Sequence, residues 1–483
     1  MRLLIATIFA LFAALPLFAA EIEVLSEGPC FARLSGTISE GDGQKFIDIE
    51  QANPRQFDAN YIALERNKLC LNSPGGSLSE GIMIAKHLAK VHIGTRIEKN
   101  GSCLSACALI FMMGRGGGEN EDEAWLSREM DITARLGFHR PSLNLPEGGT
   151  YSSEQINNSF KLALDATLGF VSLANNSVRG SQNPAIPSDL FEEMFQREGN
   201  DFFYIDTVNK AGRWKVHLTG FQPPSTLSLE AARYACHNML HWEVKRAPDE
   251  LAIGNDIGQV EAALFSVETN QFDGTKSPIF EINADVLGPI EGYYCLVRGT
   301  PKAEGLELGI CGAHFGLFTN PAGFDCIGGN VGNINFTDAL AYFPPGLPIT
   351  AIPEVARRIE AQAASTPLET PNFQESCDAR VRPIYITNVK NFANVREGVG
   401  FEKPVVFEAK KDHRLKGFGD PFVWEAGANA AACRNACIAS LNKKADASTR
   451  ATLKQCHADN TLWYQVETSD GTRGFLSGKY LRF

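Results

Sequence analysis

Three short segments carry residues whose types and order suit acyl transfer. Asn72-Ser73-Pro74-Gly75-Gly76-Ser77 follows an apolar run. Gly101-Ser102-Cys103-Leu104-Ser105-Ala106-Cys107 sets Ser105 at the opening of another. Gly137-Phe138-His139-Arg140-Pro141 ends a third. A Pro-Gly-Gly turn after a strand presents bare main-chain N–H groups, and glycine lets a substrate backbone approach closely. At a helix N-terminus those amides carry partial positive charge, which suits an oxyanion. Ser105 supplies a hydroxyl nucleophile and His139 a base to take its proton, so a nucleophile, a base and oxyanion donors are all present. Taken singly, each part has an ordinary role as a turn, a helix cap or a structural histidine. Their order and spacing together carry the reading.

The elements that must position them can be read from the pattern. Lys68 to Leu71 predicts a short buried strand. Leu78, Ile82, Ala85, Leu88 and Ala89 recur at helical spacing, and Ser77 with Glu80 forms a capping-box signature for that helix. Ile93–Ile97 predicts the next strand, Leu104–Met113 a second apolar helix, and Leu136–His139 a strand end. This alternation predicts an α/β layer with parallel strands. Residues 114–123 and 142–158 read as polar loops, and Ser159–Ala174 as a helix. Residues 225–345 are rich in Gly, Phe and Cys with strand-like runs such as Tyr293–Arg298. Pro344 to Pro371 holds one short helix, Glu354–Ala364, and then a linker.

The chain has 483 residues, which suggests about three domains. With 45 Lys and Arg against 56 Asp and Glu, its formal charge is −11, which argues against nucleic acid as a main partner. Residues 1–20 read as a signal peptide: Arg2, an apolar run from Leu3 to Phe18, then Ala19 and Ala20. Phe18 is an awkward third residue before a cut after Ala20, and an uncleaved anchor is the alternative. Such a cut removes Arg2 and takes the net charge from −11 to −12. No later segment has 18 unbroken apolar residues, so no stable membrane span is expected after processing. Twelve cysteines fit export to an oxidising compartment, periplasmic or secreted. Local bridges are expected within 295–326 and 433–456. The alternative is metal, at Cys236, His237 and His241 or at Cys311, His314 and Cys326, though neither set has a recognised zinc spacing.

The stretch 68–141 resembles the Clp protease proteolytic subunit and its exported bacterial relatives within the crotonase-like superfamily. The match is carried by Asn72 to Ser77, by the small residues around Ser105, and by His139 followed closely by Pro141. It extends more weakly to about residue 215. The resemblance implies a spiral ββα fold for residues 21–220 and a serine hydrolase. Ser105 would be the nucleophile and His139 the base. The N–H groups of Gly76 and Ala106 would form the oxyanion hole, with Gly75 shaping the turn. The family places an acid near an Asp-Phe pair, for which Asp201-Phe202 is the local match. Asp165, Asp189, Glu198 and a Ser–His dyad remain open. The acidic insertion after Ser105 departs from the family pattern. So do Cys103 and Cys107, which could bridge each other, pair with Cys70, or stay as thiols.

Residues 381–483 resemble a bacterial SH3-like β-barrel. Asn394-Val395-Arg396-Glu397-Gly398 is followed by Trp463-Tyr464-Gln465-Val466 and Gly474-Phe475-Leu476. An insertion at about 411–460 carries Cys433, Cys437 and Cys456. Such domains commonly bind cell-wall peptides or partner proteins. Trp463 and Phe475 read as strand residues packed inward. The expected organisation is thus a signal peptide (1–20), the α/β domain (21–220), a β-rich disulfide-supported middle region (225–345), a linker (346–380) and the SH3-like domain (381–483).

The first expectation is an exported serine peptidase acting on peptide or protein substrates through Ser105, His139 and Asp201, with no metal or cofactor. The second is an inactive scaffold that docks through its C-terminal domain to the cell wall or a partner. Acyl-CoA chemistry is a distant third, because acyl-CoA is cytosolic and an oxyanion hole alone would serve it. The Walker-type phosphate loop of an ATPase does not occur in this sequence.

Overall fold

The strands that carry the three segments lie in two sheets of a mixed α/β protein. The computed structural model describes residues 20–58, 64–117, 124–141, 149–175, 184–244, 260–269, 276–285, 292–302, 305–315, 322–324, 339–365, 373–380, 384–424, 429–442, 445–468 and 471–482. The leader expected at 1–20 lies outside these residues, apart from Ala20. The chain divides into two compact units. One comprises residues 1–262, 271–277 and 281–366, and the other 263–270, 278–280 and 367–483.

In the first unit, β1 (Glu21–Val24), β2 (Ala32–Ser35) and α1 (Asp42–Ala52) precede β3 (Lys68–Asn72), α2 (Leu78–Val91) and β4 (Gly94–Ile97). Then come β5 (Ser102–Leu104), α3 (Ala106–Met112), the β6–β7 pair (Arg115–Gly117, Ala124–Leu126), β8 (Arg128–Asp131) and β9 (Arg135–Phe138). α4 (Ser153–Ala174), α5 (Ser188–Phe195), β10 (Phe203–Tyr204), α6 (Val208–Arg213), β11 (His217–Thr219) and α7 (Leu229–Val244) follow. The main sheet has the order β1-β2-β3-β4-β8-β11, parallel from β2 onward. Its central strand β3 buries Lys68 to Leu71. That is the mark of a parallel strand covered on both faces. A second sheet has the order β10-β9-β5, with β5 and β9 parallel. An isolated bridge between Ser73 and Cys103 joins β5 to the end of β3.

Local chemistry explains the boundaries. Ser77 caps α2, its Oγ accepting the Glu80 N–H at 3.4 Å. The Glu80 side chain does not close the box, because Oε2 instead accepts the Gly43 N–H at 2.8 Å and ties α2 to α1. α4 begins six residues earlier than the apolar pattern predicts, since Ser152 and Gln155 form a full capping box.

The later strands of the chain are β12 (Glu261–Thr269), β13 (Lys276–Asp285), β14 (Gly292–Lys302), β15 (Gly305–Phe315) and β16 (Ala322–Phe324), followed by α8 (Ile352–Ser365). β14, β15 and β16 are antiparallel neighbours. In the second unit lie β17 (Ile384–Ile386), β18 (Phe392–Arg396), β19 (Val405–Lys410), β20 (Arg414–Gly417), β21 (Val423–Trp424), α9 (Ala430–Leu441), α10 (Ala447–Ala458), β22 (Leu462–Glu467), β23 (Arg473–Ser477) and β24 (Leu481–Arg482). Its sheet runs β19-β18-β23-β22-β20-β17-β24, with β21 also on β22. β20 and β21 belong to that sheet, and the helices α9 and α10 follow them. Val395, Leu415, Tyr464, Val466 and Leu476 fill its core. Trp463 is buried, whereas Phe475 is only half-buried.

Among the described residues, five disulfides join Cys30–Cys70, Cys103–Cys107, Cys236–Cys295, Cys377–Cys437 and Cys433–Cys456. Bridges in this number are characteristic of an oxidising compartment. The expected 433–456 cluster holds one bridge, but Cys437 reaches back to Cys377. Cys295 pairs outside its cluster, because α7 brings Cys236 to β14. No helix among the described residues is long and apolar enough to cross a membrane.

Candidate active site

Three strand ends bring the expected residues together. β3 meets β5 through the Ser73 N–H to Ser102 O (2.7 Å) and the Leu104 N–H to Ser73 O (3.0 Å). The Asn72 side chain adds a bond, its Oδ1 accepting the Ser102 N–H at 3.1 Å. β5 meets β9 in register Leu104↔Gly137. The Ser105 N–H continues that ladder to Gly137 O at 3.1 Å. Ser105 and His139 therefore emerge just past the C-terminal ends of neighbouring parallel strands, the edge where α/β sheets hold their ligands.

Ser105 has φ 56° and ψ −124°. An L-residue in this region is strained by about 1–3 kcal/mol, and such torsions concentrate at functional sites. The strain has a local cause. The chain turns sharply from β5 into α3 across one residue, and Cys103 and Cys107 are bridged on either side of it with a Cα separation of 5.1 Å. The turn points the hydroxyl at the imidazole, and Ser105 Oγ lies 2.6 Å from His139 Nε2. Both residues are half-buried.

Gly75 and Gly76 adopt φ 96° and 139°. A Cβ on Gly75 would stand 2.6 Å from both Leu104 O and Ser105 Cβ, so the turn can abut the serine only without a side chain. Gly76 is pressed against Ile38, where a Cβ would fall 2.2 Å from its carbonyl oxygen. Ile38 fastens the turn at both ends, since its N–H donates to Gly75 O and its carbonyl accepts the Ser77 N–H, each at 2.8 Å. The N–H groups of Gly76 and of Ala106, first residue of α3, donate to no main-chain carbonyl among the described residues. They are the donors the arrangement leaves for an oxyanion.

The imidazole is held on its other side. Phe202 lies over it with ring centroids 4.6 Å apart. Burial lowers the His139 pKa from its ordinary 6.5, and the nearby Gly199 carbonyl works against that shift. The Gly199 carbonyl does not form a well-shaped hydrogen bond, so Nδ1 is buried without a bonded partner. The net effect keeps the ring neutral at pH 7, as a base requires.

The expected acids lie elsewhere. Asp201 is exposed and pairs with Arg197 at 3.3 Å. Glu198 pairs with Arg140. Asp189 accepts from Arg213 Nε at 2.6 Å and Trp214 Nε1 at 3.2 Å. Asp165 is exposed on α4. Strand periodicity explains the Asp201 placement. β10 pairs with β9 in register Phe203↔Phe138 and Tyr204↔Gly137. The next position sets Phe202 opposite His139, and alternation turns Asp201 away. The Asp-Phe pair does reach the histidine, but through its aromatic member. Phe202 and Ile38 were not legible as site residues, because the first reads as half of an acid motif and the second as core.

The metal alternative at α7 loses its thiolate, since Cys236 is bonded to Cys295. The buried rings of His237 and His241 lie tilted against each other with centroids 3.7 Å apart. Burial lowers the His237 pKa to about 4. The set at Cys311, His314 and Cys326 falls on side chains outside the described residues. Among the described residues, no three His, Cys, Asp or Glu side chains are grouped to hold a metal. No protein-family model matches the chain, and no curated protein sequence is similar to it.

Proposed function

We propose that this chain is an exported, periplasmic serine hydrolase that cleaves peptide substrates by acyl transfer. The observation that carries the reading is the 2.6 Å approach of His139 Nε2 to Ser105 Oγ, with Ser105 on a strained strand-to-helix turn. In this reaction His139 takes the hydroxyl proton as Ser105 attacks the carbonyl carbon. The Gly76 and Ala106 amides receive the charge that develops on the carbonyl oxygen, and His139 returns the proton to the leaving amine. Phe202 packs on the ring and Nδ1 meets no acid, so the centre works as a Ser–His dyad. The resemblance of residues 68–141 to the Clp protease proteolytic subunit and its crotonase-like relatives supports this reading. The second unit is proposed to be the SH3-like domain, a docking module for cell-wall peptide or a partner protein.

The test is fluorophosphonate labelling of the oxidised mature protein with mass mapping of the adduct. The reading expects one adduct at Ser105, absent in Ser105→Ala and His139→Ala. The missing carboxylate at Nδ1 favours a second reading, a scaffold without turnover. That reading stands if no adduct forms where a known serine hydrolase labels fully.

A further inference from the structure

Ala20, the first described residue, is 2% exposed. Its N–H donates to Asp42 Oδ2 at 3.2 Å, and Lys45 Nζ lies 3.5 Å from its carbonyl oxygen. Asp42 is 4% exposed, and its Oδ2 also accepts the Ser39 N–H at 2.7 Å. None of the ion pairs among the described residues involves this carboxylate, and both donors to Oδ2 are main-chain N–H groups. A buried carboxylate lacking a cation is costly, and a cation within hydrogen-bond reach removes most of that cost. The nitrogen already at that distance belongs to Ala20. It becomes a cation when the bond before it is cut.

We propose that the leader is removed between Ala19 and Ala20, and that the freed α-ammonium of Ala20 pairs with Asp42. Water adds across the Ala19–Ala20 peptide bond. Ala19 departs with the new carboxylate, and the Ala20 nitrogen takes up a proton to become the ammonium. A cut one residue later would discard Ala20 and leave Asp42 a donor short. The pair has a second consequence. Asp42 Oδ2 fixes Ser39, and the adjacent Ile38 clamps the Gly75–Gly76 turn from both sides. Removal of the leader thus supplies the charge that anchors the segment shaping the oxyanion donors. This last link rests on the hydrolase reading, whereas the cleavage point and the ion pair do not.

The experiment uses the full chain, exported with its own leader. Intact mass and N-terminal sequencing should give a mature protein beginning at Ala20, and any other start overturns the cleavage point. A second chain with Gly-Ser inserted between Ala19 and Ala20 moves the ammonium away from Asp42. Thermal unfolding is then measured for both chains, each with and without Asp42→Asn. The ion pair predicts that the insertion and Asp42→Asn each lower Tm by several degrees, and that together they lower it little further, as partners in one interaction do. Additive losses, or an insertion without effect, overturn it. Should Asp42→Asn fail to fold, the insertion alone decides. The coupling to the turn predicts at least threefold slower Ser105 labelling in the inserted chain per folded molecule, and equal labelling overturns that link. If no chain labels at all, the hydrolase reading fails, while mass and Tm still judge the N-terminus.

Discussion

His139 Nε2 stands 2.6 Å from Ser105 Oγ across 34 residues of chain, because β5 and β9 are parallel neighbours in register Leu104↔Gly137. The pair is set by main-chain hydrogen bonds that end one residue short of each side chain. The rest of the site is assembled on that frame: the Gly75–Gly76 turn from β3, and the Phe202 ring from the segment entering β10.

The base must be neutral to accept the serine proton, and burial lowers the His139 pKa below 6.5. Labelling of Ser105 should therefore rise with pH and level off, with its midpoint below 6.5. A pH–rate profile checks this, and a midpoint above 7 would contradict the burial argument.

Exposed Asp201 pairs with half-buried Arg197 and does not touch the imidazole. Asp201→Asn should leave the labelling rate within about twofold, where a triad acid would cost about 10⁴-fold. Phe202→Ala removes the ring over His139 and should slow labelling by about tenfold through lost positioning. The ratio of the two rates separates a dyad from a triad.

Gly75 has no room for a Cβ and sits at φ 96°. Gly75→Ala should cost about 1–3 kcal/mol of stability through backbone strain. It should also slow labelling by about a hundredfold, since the added methyl displaces the serine it abuts. Denaturant midpoints and labelling rates on the folded protein measure the two effects separately.

The bridge between Cys103 and Cys107 closes the shortest loop of the five, with a sequence separation of 4. Such a short loop restricts the unfolded chain least, so its main effect is to hold Ser105 in its turn. The Cys103→Ala/Cys107→Ala double variant should label about tenfold more slowly and shift Tm less than Cys30→Ala/Cys70→Ala, whose bridge spans 40 residues.

His457 is buried in the second unit. Its Nδ1 donates to the carbonyls of Gln374 and Leu453, and its Nε2 accepts from Tyr464 Oη at 2.8 Å. Burial lowers its pKa to about 4. The unfolded chain takes up this proton near 6.5 and the folded unit only near 4, so stability is full above 6.5 and falls as pH drops toward 4. The loss should reach about 3 kcal/mol. Urea unfolding across that range checks it, and His457→Gln should flatten the slope.

The sequence made the strand ends legible. Lys68–Leu71 is an unbroken apolar segment apart from its first residue, and the Ser77 cap marks where β3 hands over to α2. His139 could be found because it ends an apolar run, and Ser105 because it opens one. The third member could not. Which of Asp201 and Phe202 faces His139 depends on the β9–β10 register, a long-range pairing with no signal in either strand alone. Disulfide partners were hidden for the same reason. Cys236 and Cys295 lie 59 residues apart and meet only because α7 packs on β14. Helix starts failed where a polar capping box preceded the apolar pattern, as at Ser152.

The parallel register of β5 and β9 has a consequence for how this chain can tolerate change in length. The distance along the chain between nucleophile and base is not a constrained quantity, since both are placed by the ladder and not by the peptide joining them. Residues can be added or deleted around 118–123 while the pair stays in reach. A single residue inserted within Arg135–Phe138 would instead turn the imidazole to the opposite face of the strand. Length variation is therefore nearly free around 118–123 and forbidden within Arg135–Phe138.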